Sequence, residues 1–364
     1  MYLKIEQGSK EDHLRKINQL ILKIFEYVAK NVEFDKEEFK KFIEEDKVWT
    51  AESYSPGESF YERIENLFDL LQEERERIYR VIKHDMEFDQ HIEEPDFVFE
   101  EHQLDNQQKE TVKELILYLY ENPFRNDKFE VRGEITGYRQ FKKSLFEHNL
   151  PCICPACLTM QTNLMKYGEV DHYFPKKSYP ALIFHPINLA VICGECNDFR
   201  VKGEKNPLET GNLMELYIPY LRDAEKETEL VVREIEEEGK DGEQKLAKRM
   251  VMIPRGSDAN ELINKRIRNL DNLFDLSSRW TDRMNNIIEY ELEDLGDEKL
   301  ESEVQELLHN RAKDYKRRAA KNKTKLLEAT TLEYIENEGR ESFLAEWRKR
   351  QDEQEVMSAF NANA

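Results

Sequence analysis

A chain of 364 residues is long enough for two or three domains and at least one sizeable core, because single cores stop growing at about 250 to 300 residues. Charged residues make up 36% and mean hydropathy is −0.81; no window nears the roughly 18 apolar residues of a bilayer span, and the start MYLKIEQGSKEDH lacks the basic and apolar regions of a signal peptide. A membrane role is thereby excluded and residence in the cytosol expected, while the formal net charge of −21 leaves room for a nucleic-acid site only as a local basic patch.

Residues 1–148 read as an N-terminal helical domain. ESFYERIENLFDLLQEERERIYRVI sets Phe60, Ile64, Leu67, Leu71, Ile78 and Ile82 at helical spacing, and NQQKETVKELILYLYENP is a further helix stopped by Pro123. Between them, Asp85 to Asp105 holds nine acids and no Lys or Arg, with Phe88, Phe97 and Phe99 interspersed. It is read as a solvated connector; a partner-binding or DNA-excluding segment is the alternative.

Residues 149–207 form a unit bounded by cysteines, and residues 208–356 a C-terminal domain. In the latter, ETELVVREIEEEGKDGEQKLAKRMVMIP has the pattern of two strands around a turn at Gly239 to Gly242. Asp258 and Glu261 then have capping-box spacing, Ile263, Ile267, Leu270 and Phe274 make one apolar face, and two further helices follow to about residue 356. The tail, residues 357–364, gives no reason for order. Arg311 to Lys325 carries eight basic residues and one acid. Such a helix either lies along a phosphate backbone or pairs with the acidic surface of its own protein.

All five cysteines fall between 152 and 196. In a reducing cytosol that reads as a metal cluster rather than a disulfide framework. Cys154-x-x-Cys157 and Cys193-x-x-Cys196, 35 residues apart, have the spacing of two knuckles that together offer zinc four thiolates. Cys152 is the alternative to Cys154. A closed thiolate shell has no place for water, so this zinc is structural. Between the knuckles, EVDHYFP reads as a short strand with Asp171 and His172 on opposite sides of the backbone, NLAVIC as a second strand, and CNDFRVKG as the start of a short helix that Gly203 ends.

The order Cys-x-x-Cys, Asp-His, His-Pro-x-Asn-Leu, Cys-x-x-Cys-Asn resembles the HNH endonucleases, over about one sixth of the chain. The resemblance implies a ββα-metal nuclease module embedded in a mainly α protein, with a β-hairpin after it. It implies His172 as general base, Asp171 and Asn197 as ligands of one catalytic Mg²⁺ or Mn²⁺, and Asn188 as a brace of the loop. The last letter of the family name is Asn197 here, a variant similar to the HNH domains of RNA-guided nucleases. An HNH module between helical flanks also resembles effectors of anti-phage defence that act beside an ATPase.

The same chemistry follows from the residue types. Phosphodiester hydrolysis needs a base near neutrality, which imidazole supplies if a carbonyl or amide fixes its other nitrogen. Asp171 and Asn197 offer hard oxygen ligands. Arg200 and Lys202 follow within about a turn and are candidates for phosphate contact, as is His185, although a structural place in the loop is the preferred reading of His185. Lys176, Lys177, Tyr179 and Pro180 receive no role beyond backbone contact. The expected function is DNA cleavage; the alternative is a non-catalytic zinc module that binds nucleic acid or a protein. A single such site cuts one strand, so a homodimer is plausible.

Overall fold

The computed structural model describes residues 2–44, 58–131, 134–147, 149, 152–159, 164–209, 211–238, 244–256, 260–295 and 300–362. It is mainly helical, with three small antiparallel strand pairs, and divides into two compact units, Met1–Ala156 with Gln161–Ala224 and Cys157–Met160 with Glu225–Ala364. The helical span and most of the cysteine-bounded span thus belong to one unit. Among the described residues no helix is long and apolar enough to cross a membrane.

The first unit begins with α1 (Glu11–Lys30), α2 (Lys36–Glu44), α3 (Glu58–Phe68) and α4 (Gln72–Met86). Their apolar faces bury Ile17, Ile21, Ile24, Phe60, Ile64, Leu67, Ile78 and Ile82. Each such side chain contributes about 1.5–3 kcal/mol on leaving water. Leu71 departs from the helical spacing expected of it: α3 has already ended, and Leu71 precedes α4 with its N–H bonded to Glu74 Oε2 (2.8 Å) and its side chain 64% exposed.

The acidic segment is not a solvated connector. Its acids mostly face water while its phenylalanines turn inward: Phe88 and Phe99 are buried and pack edge-on against Phe174, and Phe99 also meets Tyr179. Asp85 accepts from Glu100 N (2.7 Å), and buried Arg222 donates to Ile92 O (2.7 Å) and Glu93 Oε1 (2.6 Å). These bonds satisfy backbone groups that a wholly solvated segment would leave to water.

Helix α5 (Asn106–Leu119) opens on a capping box between Asp105 and Gln108. Pro123 does not simply stop it. Lacking an N–H, Pro123 sits in a widened π turn, Tyr120–Phe124, closed by Arg125 N on Tyr120 O (3.0 Å). The strands β1 (Phe129–Val131) and β2 (Glu134–Thr136), unforeseen in the sequence, then lead to α6 (Tyr138–Leu145) and α7 (Leu164–Tyr167).

Strands β3 (Glu169–His172) and β4 (Leu189–Ile192) pair antiparallel, Glu169 opposite Ile192 and His172 opposite Leu189. All their residues but Glu169 are buried. The helix after them is α8 (Gly194–Asn197), one turn only, which begins and ends earlier than CNDFRVKG suggested. Residues 198–204 are turns, and Gly203, at φ +47°, passes close over Phe199 O, where a Cβ would lie 2.7 Å away.

A short turn, α9 (Ala224–Glu227), leads along the chain to β5 (Thr228–Glu238) and β6 (Gln244–Pro254), an antiparallel pair in register from Thr228↔Pro254 to Glu238↔Gln244. Leu230, Val232, Met250 and Met252 form its buried face. The turn at 239–242 and Asp258 lie outside the described residues; α10 (Glu261–Phe274) is capped instead by Asn260, which accepts from Leu262 N (2.9 Å). Four helices rather than two follow: α11 (Leu276–Asp294), α12 (Glu301–Lys321), α13 (Leu326–Asn337) and α14 (Arg340–Ala362). The last runs through most of the tail for which no order was expected. A core of Leu295, Val304, Leu308, Leu332, Leu344 and Trp347 holds them together.

The basic stretch lies on α12 and beyond, and it is internally paired. Arg311 bonds Glu291 and Asp294, Lys316 reaches Glu333 (2.6 Å), Arg317 and Arg318 share Asp314, and Lys325 meets Glu328.

Candidate active site

Cys154, Cys157, Cys193 and Cys196 are all buried, with their four sulfurs within 4.8 Å of one another, positioned to bind one metal ion. Cys193 N also lies 3.4 Å from Cys154 Sγ. Cys152 is half-buried and outside the group. A donor set of four thiolates suits a structural site, with no position left for a reacting water.

Next to this cluster the first unit holds a cavity of about 510 Å³. Asp171 and His172 line it from β3, Asn197 from the end of α8, and Lys202 from the following turns. Glu169, Tyr120, Arg125, Tyr138, Lys176 and Lys177 complete the wall. The residues singled out in β3 and α8 thus meet at one place.

His172 Nε2 lies 3.1 Å from the carbonyl oxygen of Ile183. A carbonyl only accepts, so Nε2 carries the proton and Nδ1 keeps its lone pair. The ring is 8% exposed, and burial, with Lys176 nearby, lowers its pKa to about 3, so it is neutral at pH 7. The Tyr120 ring meets it edge-on at 5.0 Å.

Asn188 holds the loop that supplies this carbonyl. It is fully buried; Oδ1 accepts from Phe174 N (2.6 Å), and Nδ2 donates to Leu182 O (3.0 Å) and Phe174 O (3.2 Å). Its own carbonyl accepts from Tyr173 N (2.8 Å). One side chain therefore ties the residue after His172 to the residue before Ile183.

Asp171 is buried, which raises the pKa of its carboxyl, and the neighbouring Lys202 ammonium opposes that shift. Lys202 Nζ lies 3.1 and 3.0 Å from the two carboxylate oxygens and donates to His172 O at 2.7 Å. Only Oδ1 is oriented to accept; Oδ2 receives no hydrogen bond. Asn197 Nδ2 donates to the Glu169 carboxylate. A buried oxygen without a donor, an amide and a neighbouring carboxylate are chemically suited to a hard divalent cation.

Of the residues expected to touch phosphate, Lys202 is 1% exposed and committed to Asp171 and His172 O. Arg200 is exposed and paired with Asp198 (2.9 Å). His185 is 2% exposed, tilted against Phe88 at 4.7 Å and 3.8 Å from Asp89 Oδ1, and does not line the cavity. Tyr179 and Pro180 are buried, with Tyr179 Oη on Asn206 Oδ1 (3.0 Å).

The sequence reading missed Tyr120, Arg125 and Tyr138, whose elements precede the cysteines by tens of residues. Pro123 was the available signal: the turn it widens brings Tyr120 and Arg125 to the same wall. Glu121, between them, contacts both Lys176 (2.9 Å) and Arg125 (3.4 Å).

No protein-family model, curated protein or solved structure matches this chain.

Proposed function

We propose that the cavity is the active site of a divalent-cation-dependent endonuclease of the HNH type that hydrolyses phosphodiester bonds of DNA. The observation that carries this reading is the convergence on one cavity of an imidazole with a fixed tautomer, a buried carboxylate ion-paired to Lys202 with one oxygen that accepts no hydrogen bond, and an asparagine. His172 Nδ1 accepts a proton from the attacking water, while the Ile183 carbonyl, secured through Asn188, holds the ring. Lys202 favours the ionised form of Asp171 against the opposing effect of burial. Arg125 and Lys176 also line the cavity and are the cations available to the incoming phosphate. Asp171 and Asn197 are the residues that would hold magnesium or manganese, and a bound ion of this kind stabilises negative charge gathering on the phosphate. The thiolate cluster takes a structural ion, expected to be zinc, and stays out of the chemistry.

The test is nicking of supercoiled plasmid with Mg²⁺ or Mn²⁺, with EDTA as control. The His172→Ala variant is expected to keep its fold and thiolate-bound metal and to lose about 10²- to 10⁴-fold in rate, the usual worth of a general base. Cleavage at the parental rate would remove His172 from the mechanism. No cutting with any cation would leave a non-catalytic metal-thiolate module.

A further inference from the structure

Asn197 has an amide with two unlike ends, and only its oxygen can serve a cation. The cavity wall contains a group that discriminates between those ends. Glu169 opens β3, opposite Ile192, and Asn197 closes the one-turn helix that starts right after Cys193, so the hairpin register returns the amide over the glutamate. The Glu169 carboxylate accepts from Asn197 Nδ2. A carboxylate oxygen accepts, so the amide atom facing it is the NH₂ and the oxygen lies on the other branch. Residues two apart on a strand share a face, and Glu169 stands two positions before Asp171.

We infer that Glu169 is a positioning residue of the cation site: it fixes the Asn197 amide so that Oδ1, not Nδ2, is presented together with Asp171. This rests on the nuclease reading above and adds to it the outer-shell group that orients a ligand. The logic is the one by which a carboxylate fixes the tautomer of a metal-bound histidine; removing such a partner typically costs about 10- to 100-fold in metal affinity. Without a fixed acceptor the amide turns freely, and half of its orientations point two N–H donors at the cation. Lys142, whose ammonium bonds the carbonyl of Gly168 and interacts electrostatically with Glu169, supports the carboxylate from outside the cavity.

The experiment measures Mn²⁺ affinity of the full-length protein by titration calorimetry or electron paramagnetic resonance, in a double-mutant cycle of Glu169→Gln and Asn197→Asp. Thermal melting and thiolate-bound metal content serve as controls. Glu169→Gln is expected to weaken Mn²⁺ binding about 10-fold or more, because the glutamine can donate to the amide oxygen and lock it the wrong way round. Glu169→Asp, which keeps a pure acceptor, restores most of the affinity. In the Asn197→Asp background a carboxylate presents oxygen in either orientation, so Glu169→Gln costs nothing there. An equal loss in both backgrounds would make Glu169 a direct ligand, and no loss in either would make the contact incidental; both results overturn the inference while leaving the nuclease reading intact. Failure of the parent protein to bind Mn²⁺ at all would overturn both.

Discussion

The two longest-separated strand pairs, β3–β4 and β5–β6, share a topology and little else. In β3–β4 each strand has four residues, and both faces are covered, so that only Glu169 is exposed. In β5–β6 each strand has eleven, and burial alternates at the end where Leu230, Val232, Met250 and Met252 point inward, while Leu246, further along the same face, is 67% exposed. An isolated two-stranded pair is marginal in water. The long pair is stabilised by laying one apolar face on helices, notably α11, whose Thr281 hydroxyl accepts from Met250 N (3.0 Å) and donates to Ser277 O (2.6 Å). The short pair relies instead on a thiolate cluster at one end and on Asn188 at the other. Enclosure of both faces is what takes Asp171 and His172 out of water, and with that comes the shift of both toward their neutral forms. A pair with one wet face lacks that means of altering a side chain's proton affinity.

The sharpest way to break this contrast is Cys193→Ala. Structural metal contributes folding free energy directly, about 10–16 kcal/mol for zinc in small domains, which rivals the roughly 5–15 kcal/mol of a whole protein. Hydrogen exchange should show amides of β3–β4 losing protection while those of β5–β6 keep theirs; equal loss in both would contradict the division of labour.

A smaller effect is expected for Asn188→Ala against Thr281→Val. The first leaves the Phe174 N–H and carbonyl unsatisfied, removes one of the two donors to Leu182 O, and should cost about 2 kcal/mol or more, at roughly 1–3 kcal/mol per buried group. The second orphans one amide of β6 and should cost about 1–2 kcal/mol. Denaturant midpoints give the comparison, and a larger loss for Thr281→Val would reverse it. Smallest of all, Leu246→Ala, at the exposed far end of the strand, should shift stability by less than about 0.5 kcal/mol.

What could be read ahead in the sequence follows from the same physics. Two strand-like apolar runs around a Gly-containing turn announced β5–β6, and the spacing of cysteines with Asp-His announced β3–β4 and the thiol cluster. Helix α8 was displaced because its defining contacts, Cys193 as N-cap and Asn197 as last residue, are set by the cluster and not by local helix preference. The acidic segment was misjudged because counting charges ignores where Phe88 and Phe99 turn, and the rings that give them a place to go, Phe174, Tyr179 and His185, lie 75 to 97 residues further on. The basic helix offered two readings that sequence alone left open; the placement of Glu291, Asp294 and Glu333 across α12 fulfils the internal-pairing one. Of the site, the residues on β3 and α8 were legible because they cluster in sequence. Tyr120, Arg125 and Tyr138 were not: Pro123 marks a break in the helix, but nothing local says that the turn it widens faces a pocket built with distant strands.

The widened turn at Pro123 bears on any attempt to trim this protein to its cysteine-bounded span. Excising residues 149–207 would retain the thiols and the histidine but amputate Tyr120, Arg125 and Tyr138, and leave the rings of Phe174 and Tyr179 without Phe88 and Phe99. Such a fragment would be half a mould, its cavity open to solvent where those side chains are missing.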